Sequence, residues 1–347
     1  MTALLQYGTR NLLSALVLLS TLAIAVGSPA RAQIPFEHGQ RVLFLGDSIT
    51  QDGRYVDLVS AYLWAVYPDR DVKIVNAGLS SETVSGITEP VHPYPRPNAQ
   101  DRLDNALDVA QPNWVVICYG MNDGIYHPFD DRIASAYRSG YQRILQTIAK
   151  YNARVILLTP PVFDAACPAV VKRLSEVKPD EPYGYLRPYE KYDDTLTQLG
   201  KILAEFGSLP VVERTIDLHT AMAQFLAAAK QSDPQFVYGD GVHPPLEGHV
   251  AMARAVLLGL GEPREKVDHV LAKIAGVRPP LSNAAELPVP DDATEIRELI
   301  FVRGRELSAV YRKSIAPQTP REEAQQLLPA ALMLADEREQ EIRVRLK

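Results

Sequence analysis

Five short apolar runs rich in β-branched residues, separated by longer stretches of helical character, set the narrowest limit on what this chain can fold into. They are Val42 to Leu45, Val72 to Asn76, Trp114 to Tyr119, Arg154 to Leu158 and Pro210 to Glu213. Strands separated by helices are joined by crossovers and pair in parallel. Their near-continuous apolarity predicts a sheet covered on both faces, which makes the fold class α/β. Helical patterns at Arg54 to Val66, Asp101 to Ala110, Asp131 to Tyr151 and Pro188 to Phe206 fill the intervals, and Leu246 to Leu260 follows the last strand. In open parallel sheets the ligand site lies beyond the carboxyl ends of the strands, so the polar residues found there are the ones to read for chemistry.

The flanks of this α/β region have a different character. Arg10 precedes an uncharged run from Leu12 to Val26, and Ala30-Arg31-Ala32 follows as a small-x-small cleavage site. This predicts a cleavable signal peptide over residues 1–32 and a secreted or periplasmic protein. The alternative is a permanent anchor, but the run is shorter than the roughly 20 residues a bilayer span needs. No cysteine precedes Cys118 to take a lipid, so no stable membrane anchor is expected after cleavage. An oxidising compartment permits a Cys118–Cys167 disulfide, although the apolar strand around Cys118 points to a buried free thiol. Prolines 279, 280, 288 and 290 mark a linker over residues 276–290, which closes an α/β domain of residues 33–275. Beyond it, residues 291–347 read as a helical extension. Ile296, Leu299, Ile300, Leu307, Val310 and Tyr311 form one apolar stripe with Arg303, Arg305 and Arg312 elsewhere, and a second helix follows Pro320. With 42 acidic against 36 basic residues, the chain lacks the positive surface that nucleic acid demands.

Every informative polar cluster sits at the end of a strand. The first strand ends in Gly46-Asp47-Ser48-Ile49-Thr50, a tight turn that exposes a serine hydroxyl, although such a serine taken alone reads equally as a helix cap. The second ends at Asn76-Ala77-Gly78, where glycine lets the backbone approach a ligand closely, and the third at Gly120-Met121-Asn122-Asp123, which offers a side-chain amide. Far downstream, Asp240-Gly241-Val242-His243 sets a carboxylate three residues before an imidazole, close enough in a turn to orient the ring.

Together these blocks resemble the GDSL or SGNH hydrolase family over about residues 40 to 260. The resemblance implies a flavodoxin-like three-layer α/β/α sandwich with a five-stranded parallel sheet. It implies a serine esterase with Ser48 as nucleophile, His243 as general base and Asp240 as its orienting carboxylate, and an oxyanion hole made by the Ser48 and Gly78 N–H groups and the Asn122 side chain. One departure stands at Leu79-Ser80-Ser81-Glu82-Thr83, where many members carry another glycine. This chemistry needs no cofactor. His92, His127, His219 and His249 show no metal-ligand spacing and read as loop or surface residues, and the first strand turn lacks the glycines of a dinucleotide loop.

Three loops follow strand ends: Thr88 to Asn98, Met121 to Phe129, and Pro160 to Asp164. Asp47, Tyr94, Arg96, Asp123 and Tyr126 are the expected substrate-binding residues. Aromatic and polar rims fit a sugar better than a long acyl tail, so the expected reaction is removal of small acyl groups such as acetyl from a small-molecule or carbohydrate ester. The alternatives are a lysophospholipase or thioesterase acting on longer chains and, from another class, a non-catalytic envelope binding protein. Acyl-CoA is disfavoured as substrate because it is cytoplasmic.

Overall fold

The computed structural model describes residues 34–176, 180–277 and 289–346. The predicted signal peptide over residues 1–32 and most of the predicted 276–290 linker lie outside them. Five strands, β1 (Arg41–Gly46), β2 (Lys73–Asn76), β3 (Trp114–Cys118), β4 (Arg154–Leu158) and β5 (Val212–Ile216), form one parallel sheet in the order β2-β1-β3-β4-β5. The helices are α1 (Ser48–Asp52), α2 (Arg54–Val66), α3 (Gln100–Ala110), α4 (Asp131–Lys150), α5 (Pro168–Glu176), α6 (Tyr192–Glu205), α7 (Leu218–Ser232), α8 (Leu246–Gly259), α9 (Arg264–Ala275), α10 (Ala293–Ile315) and α11 (Arg321–Arg345). One layer packs α2, α7, α8 and α9 together, and the other packs α3, α4 and α6. The sheet lies between them, as the apolar strands require.

Local sequence explains the elements. In α4, Asp130 caps the start by accepting from Ile133 N–H, while Ile133, Tyr137, Tyr141, Ile144, Leu145 and Ile148 make one buried face. β1 and β3 are buried almost throughout because helices cover them on both sides. β5 lies later than the Pro210 to Glu213 run. It is an edge strand and keeps Glu213, Arg214 and Thr215 only half buried, so it lacks the apolar signature of the interior strands. Helix α7 was not anticipated either: its buried stripe is Leu218, Met222, Phe225 and Ala229 alone. Cys118 and Cys167 are both buried and free.

The C-terminal helices are integral to this layering. α10 touches α2 in one layer, α3 in the other, and β2 between them, so it crosses the outer edge of the sheet. Arg303 lies off the apolar stripe, yet it does not face solvent. It is buried, with its Nη2 2.8 Å from Glu339 Oε2 of α11 and its guanidinium 4.7 Å from the Trp64 ring centroid. Lys73 of β2 donates to Asp336 at 3.0 Å, and Arg343 donates to the Pro68 carbonyl at 3.2 Å.

Candidate active site

β1 and β3 are neighbours, with Gly46 opposite Cys118. From there the chain turns to β2 on one side and to β4 on the other. That divergence opens the crevice in which such sheets bind ligands. Asp47 caps α1 by accepting from Ile49 N–H at 3.0 Å, which fixes the tight turn after β1. Ser48 is the first residue of α1, and its N–H has no intrahelical acceptor.

The turn between α7 and α8 delivers the imidazole. Gly239 has φ of +50° and must be glycine, because a Cβ there would overlap the His243 carbonyl oxygen. Asp240 Oδ1 accepts from the N–H groups of Val242 and His243 at 2.9 and 2.8 Å. Its Oδ2 lies 2.9 Å from His243 Nδ1, and His243 Nε2 lies 2.8 Å from Ser48 Oγ. A carboxylate only accepts, so the neutral ring carries its proton on Nδ1 and offers Nε2 to the serine hydroxyl. Hydrogen bonding to Asp240 raises the His243 pKa above its ordinary value, although burial works against it. Burial alone would raise the Asp240 pKa, but the ring and the two backbone donors hold it well below the usual carboxylate range. About half of each of the His243 and Asp240 side chains is open to solvent, so the ring can reach an incoming ester.

A family model described as the GDSL-like Lipase/Acylhydrolase family matches residues 44–251. The chain belongs to the GDSL-like lipase/acylhydrolase family. It is a carboxylic ester hydrolase. An acetylxylan esterase from Geobacillus stearothermophilus is 26% identical over 242 residues, spanning 64% of this chain and 94% of the relative. Among solved structures, a gut microbial diltiazem-metabolizing enzyme is 21% identical with a TM-score of 0.49, covering 66% of this chain and 49%, about half, of its own. A catalytic mutant of the Geobacillus acetylxylan esterase is 22% identical with a TM-score of 0.48, covering 66% and 97%. A GDSL-like lipase from Parabacteroides merdae, described as putative, gives 20% and 0.46, covering 66% and 99%.

In this acylhydrolase one of the donors expected to line an oxyanion site is already taken. The Gly78 N–H is already donated to Asn76 Oδ1 at 2.9 Å. What demands glycine there is close packing: a Cβ would lie 2.5 Å from Thr50 C and 2.8 Å from Gln51 Cα. The N–H of Ser81, which has φ of +63°, meets no acceptor among the described residues. The Ser81 carbonyl and Asn122 Oδ1 share one donor, Arg96 Nη1, at 3.4 and 2.9 Å. Asn122 Nδ2 donates one N–H to the Glu82 carbonyl at 3.2 Å, which leaves its second N–H available. Ser81 falls in the stretch where many members of the family carry an additional glycine.

Most of the expected substrate-binding residues serve other ends in the acylhydrolase. Asp47 is buried in its capping role, and burial pushes its pKa up to about 7. Asp123 is fully buried and holds the segment after β2 by accepting from Val84 and Ser85 N–H at 2.9 and 2.8 Å; burial raises its pKa to about 6. Tyr126 is buried, stacked on Tyr192 with ring centroids 4.8 Å apart. Arg96 is buried against Glu89. Only Tyr94, 56% exposed, lies at the surface, its ring beside His92. His249 is not a surface residue either: it is fully buried, its ring stacked on Tyr55, and burial pushes its pKa down to about 3. Three residues the sequence reading missed stabilise the site. Glu82 and Arg102 form a buried pair at 2.6 Å below the Ser81 turn. Arg173 joins the Tyr185 and Asp240 carbonyls at 2.8 and 3.3 Å.

Proposed function

We propose that this esterase works through an acyl-enzyme on Ser48 and removes small acyl groups, acetyl above all, from carbohydrate outside the cytoplasm. The continuous chain from Asp240 Oδ2 through His243 to Ser48 Oγ, with contacts of 2.9 and 2.8 Å, carries this reading. His243 Nε2 takes the Ser48 proton as Oγ attacks the ester carbonyl, and Asp240 stabilises the imidazolium that forms. The Ser48 and Ser81 N–H groups and the free N–H of Asn122 stabilise the oxyanion. His243 then protonates the leaving alcohol, and water activated by the same ring releases the acid.

The acetyl and carbohydrate assignment draws on the acetylxylan esterase relative. The charge pattern before Ala32 supports export. The test compares hydrolysis of p-nitrophenyl acetate, butyrate and octanoate, and acetate release from acetylated xylan, for the wild type and Ser48→Ala. The expected order is acetate first with xylan deacetylated, and Ser48→Ala inactive with an unchanged melting temperature. Preference for octanoate would overturn the acyl assignment, no acetate release from xylan the carbohydrate assignment, and an active Ser48→Ala the nucleophile.

A further inference from the structure

Arg96 carries a full charge into the protein interior beside the site, and its pairing explains why. Its Nε and Nη2 make a two-point contact with Glu89 Oε2 and Oε1 at 2.7 and 2.6 Å, with the two side chains 2% and 0% exposed. The guanidinium also lies 5.8 Å from the Tyr126 ring centroid. Removing both ions from water costs solvation that their attraction at best repays, so such a pair is weak as a device for stability alone. What the pairing leaves is Nη1, aimed at Asn122 Oδ1 (2.9 Å) and the Ser81 carbonyl (3.4 Å).

A primary amide can rotate by half a turn and exchange its oxygen and nitrogen at little steric cost. Here it cannot. Arginine only donates, so it tolerates only the oxygen of Asn122, and the Glu82 carbonyl only accepts, so it tolerates only the nitrogen. The cation on Oδ1 also polarises the amide and strengthens its remaining N–H as a donor.

We propose that Arg96, clamped by Glu89, is a positioning residue that locks the Asn122 amide as an oxyanion donor. This rests on the reading of Asn122 as an oxyanion donor, so its test begins with Asn122→Ala. The measurement is kcat and KM on p-nitrophenyl acetate for Arg96→Met, Asn122→Ala and the double variant, with melting temperatures for each. Asn122→Ala is expected to lower kcat by about 10² to 10³. Arg96→Met is expected to lower kcat by about 10 to 100-fold while KM stays within about threefold, and the double variant is expected to match Asn122→Ala within about threefold, because the two losses are one loss.

Losses that multiply in the double variant, or an Arg96→Met effect confined to KM, would overturn the proposal. A wild-type kcat in Asn122→Ala would remove the oxyanion reading itself, and the proposal with it. Arg96→Lys covers the case in which Arg96→Met does not fold. A single ammonium keeps the charge beside Glu89 but cannot span both Glu89 oxygens and Asn122. It is expected to melt near the wild type with kcat lowered by the same route, and an unchanged kcat in folded Arg96→Lys would refute the need for the fork.

Discussion

Gly78→Ala separates two roles for one glycine. If Gly78 acted by donating its N–H, alanine would preserve the donor and the rate. The structure assigns it close packing instead. The new Cβ would lie 2.5 Å from Thr50 C and 2.8 Å from Gln51 Cα, whereas carbon contacts settle at about 3.5–4.0 Å. The backbone must therefore part by about 1 Å, and the part that moves is α1, a helix of five residues beginning at Ser48. Asn76 resists the movement, since its Nδ2 donates to the Thr50 carbonyl at 2.6 Å and its Oδ1 accepts from Gly78 N–H at 2.9 Å. Overpacking of this kind costs about 1–3 kcal/mol, which in a domain of this size lowers the melting temperature by about 2–4 °C per kcal/mol. A nucleophile displaced by about 1 Å loses on the order of 10² in rate. The assay is kcat on p-nitrophenyl acetate together with thermal melting. A variant with kcat within about threefold of the wild type and an unshifted melt would refute the packing argument.

The base is active only when neutral, so kcat/KM should rise with pH through the His243 titration, with a midpoint above the ordinary value of about 6.5 because Asp240 raises it. Asp240→Asn should move that midpoint down and lower kcat by on the order of 10⁴; a rising limb that stays put would break the link between Asp240 and the base. In Gly304→Ala the added methyl would overlap the buried Asp57 carboxylate, so thermal melting should show a loss of about 1–3 kcal/mol with kcat retained. An unchanged melt would show that α10 is not pressed against α2.

How much of this was legible depended on whether a residue's role was set by its neighbours in sequence. β1, β3 and β4 are covered on both faces, and burial alone writes their apolar runs. β5 is open on one edge and admits Arg214 and Thr215, so the same criterion misplaced it. The turns that carry Ser48, Asp240 and His243 were readable because the shape of each is local. Gly78 was misread because the fate of its N–H depends on the Asn76 side chain two residues back. Arg96 was read as a rim residue since it lies in a proline-rich loop. Its partner Glu89 is seven residues away, but only Tyr126 and the Gly184 segment packing over them decide that the pair faces inward.

The crossing of α10 over β2 bears on how the chain is made. Ser48 and His243 are 195 residues apart, and Lys73 and Asp336 are 263 apart. Synthesis therefore delivers Ser48, Asp240 and His243, with their mutual contacts, before it delivers the helices that cover the β2 edge. A nascent chain ending after α8 would carry a complete sheet with one flank bare, its backbone N–H and C=O groups open to strands of other chains. Contacts this distant in sequence also form slowly. The interval between the emergence of α8 and the docking of α10 is thus when this protein is most exposed to aggregation, and the last two helices end that exposure by covering the edge from within the same molecule.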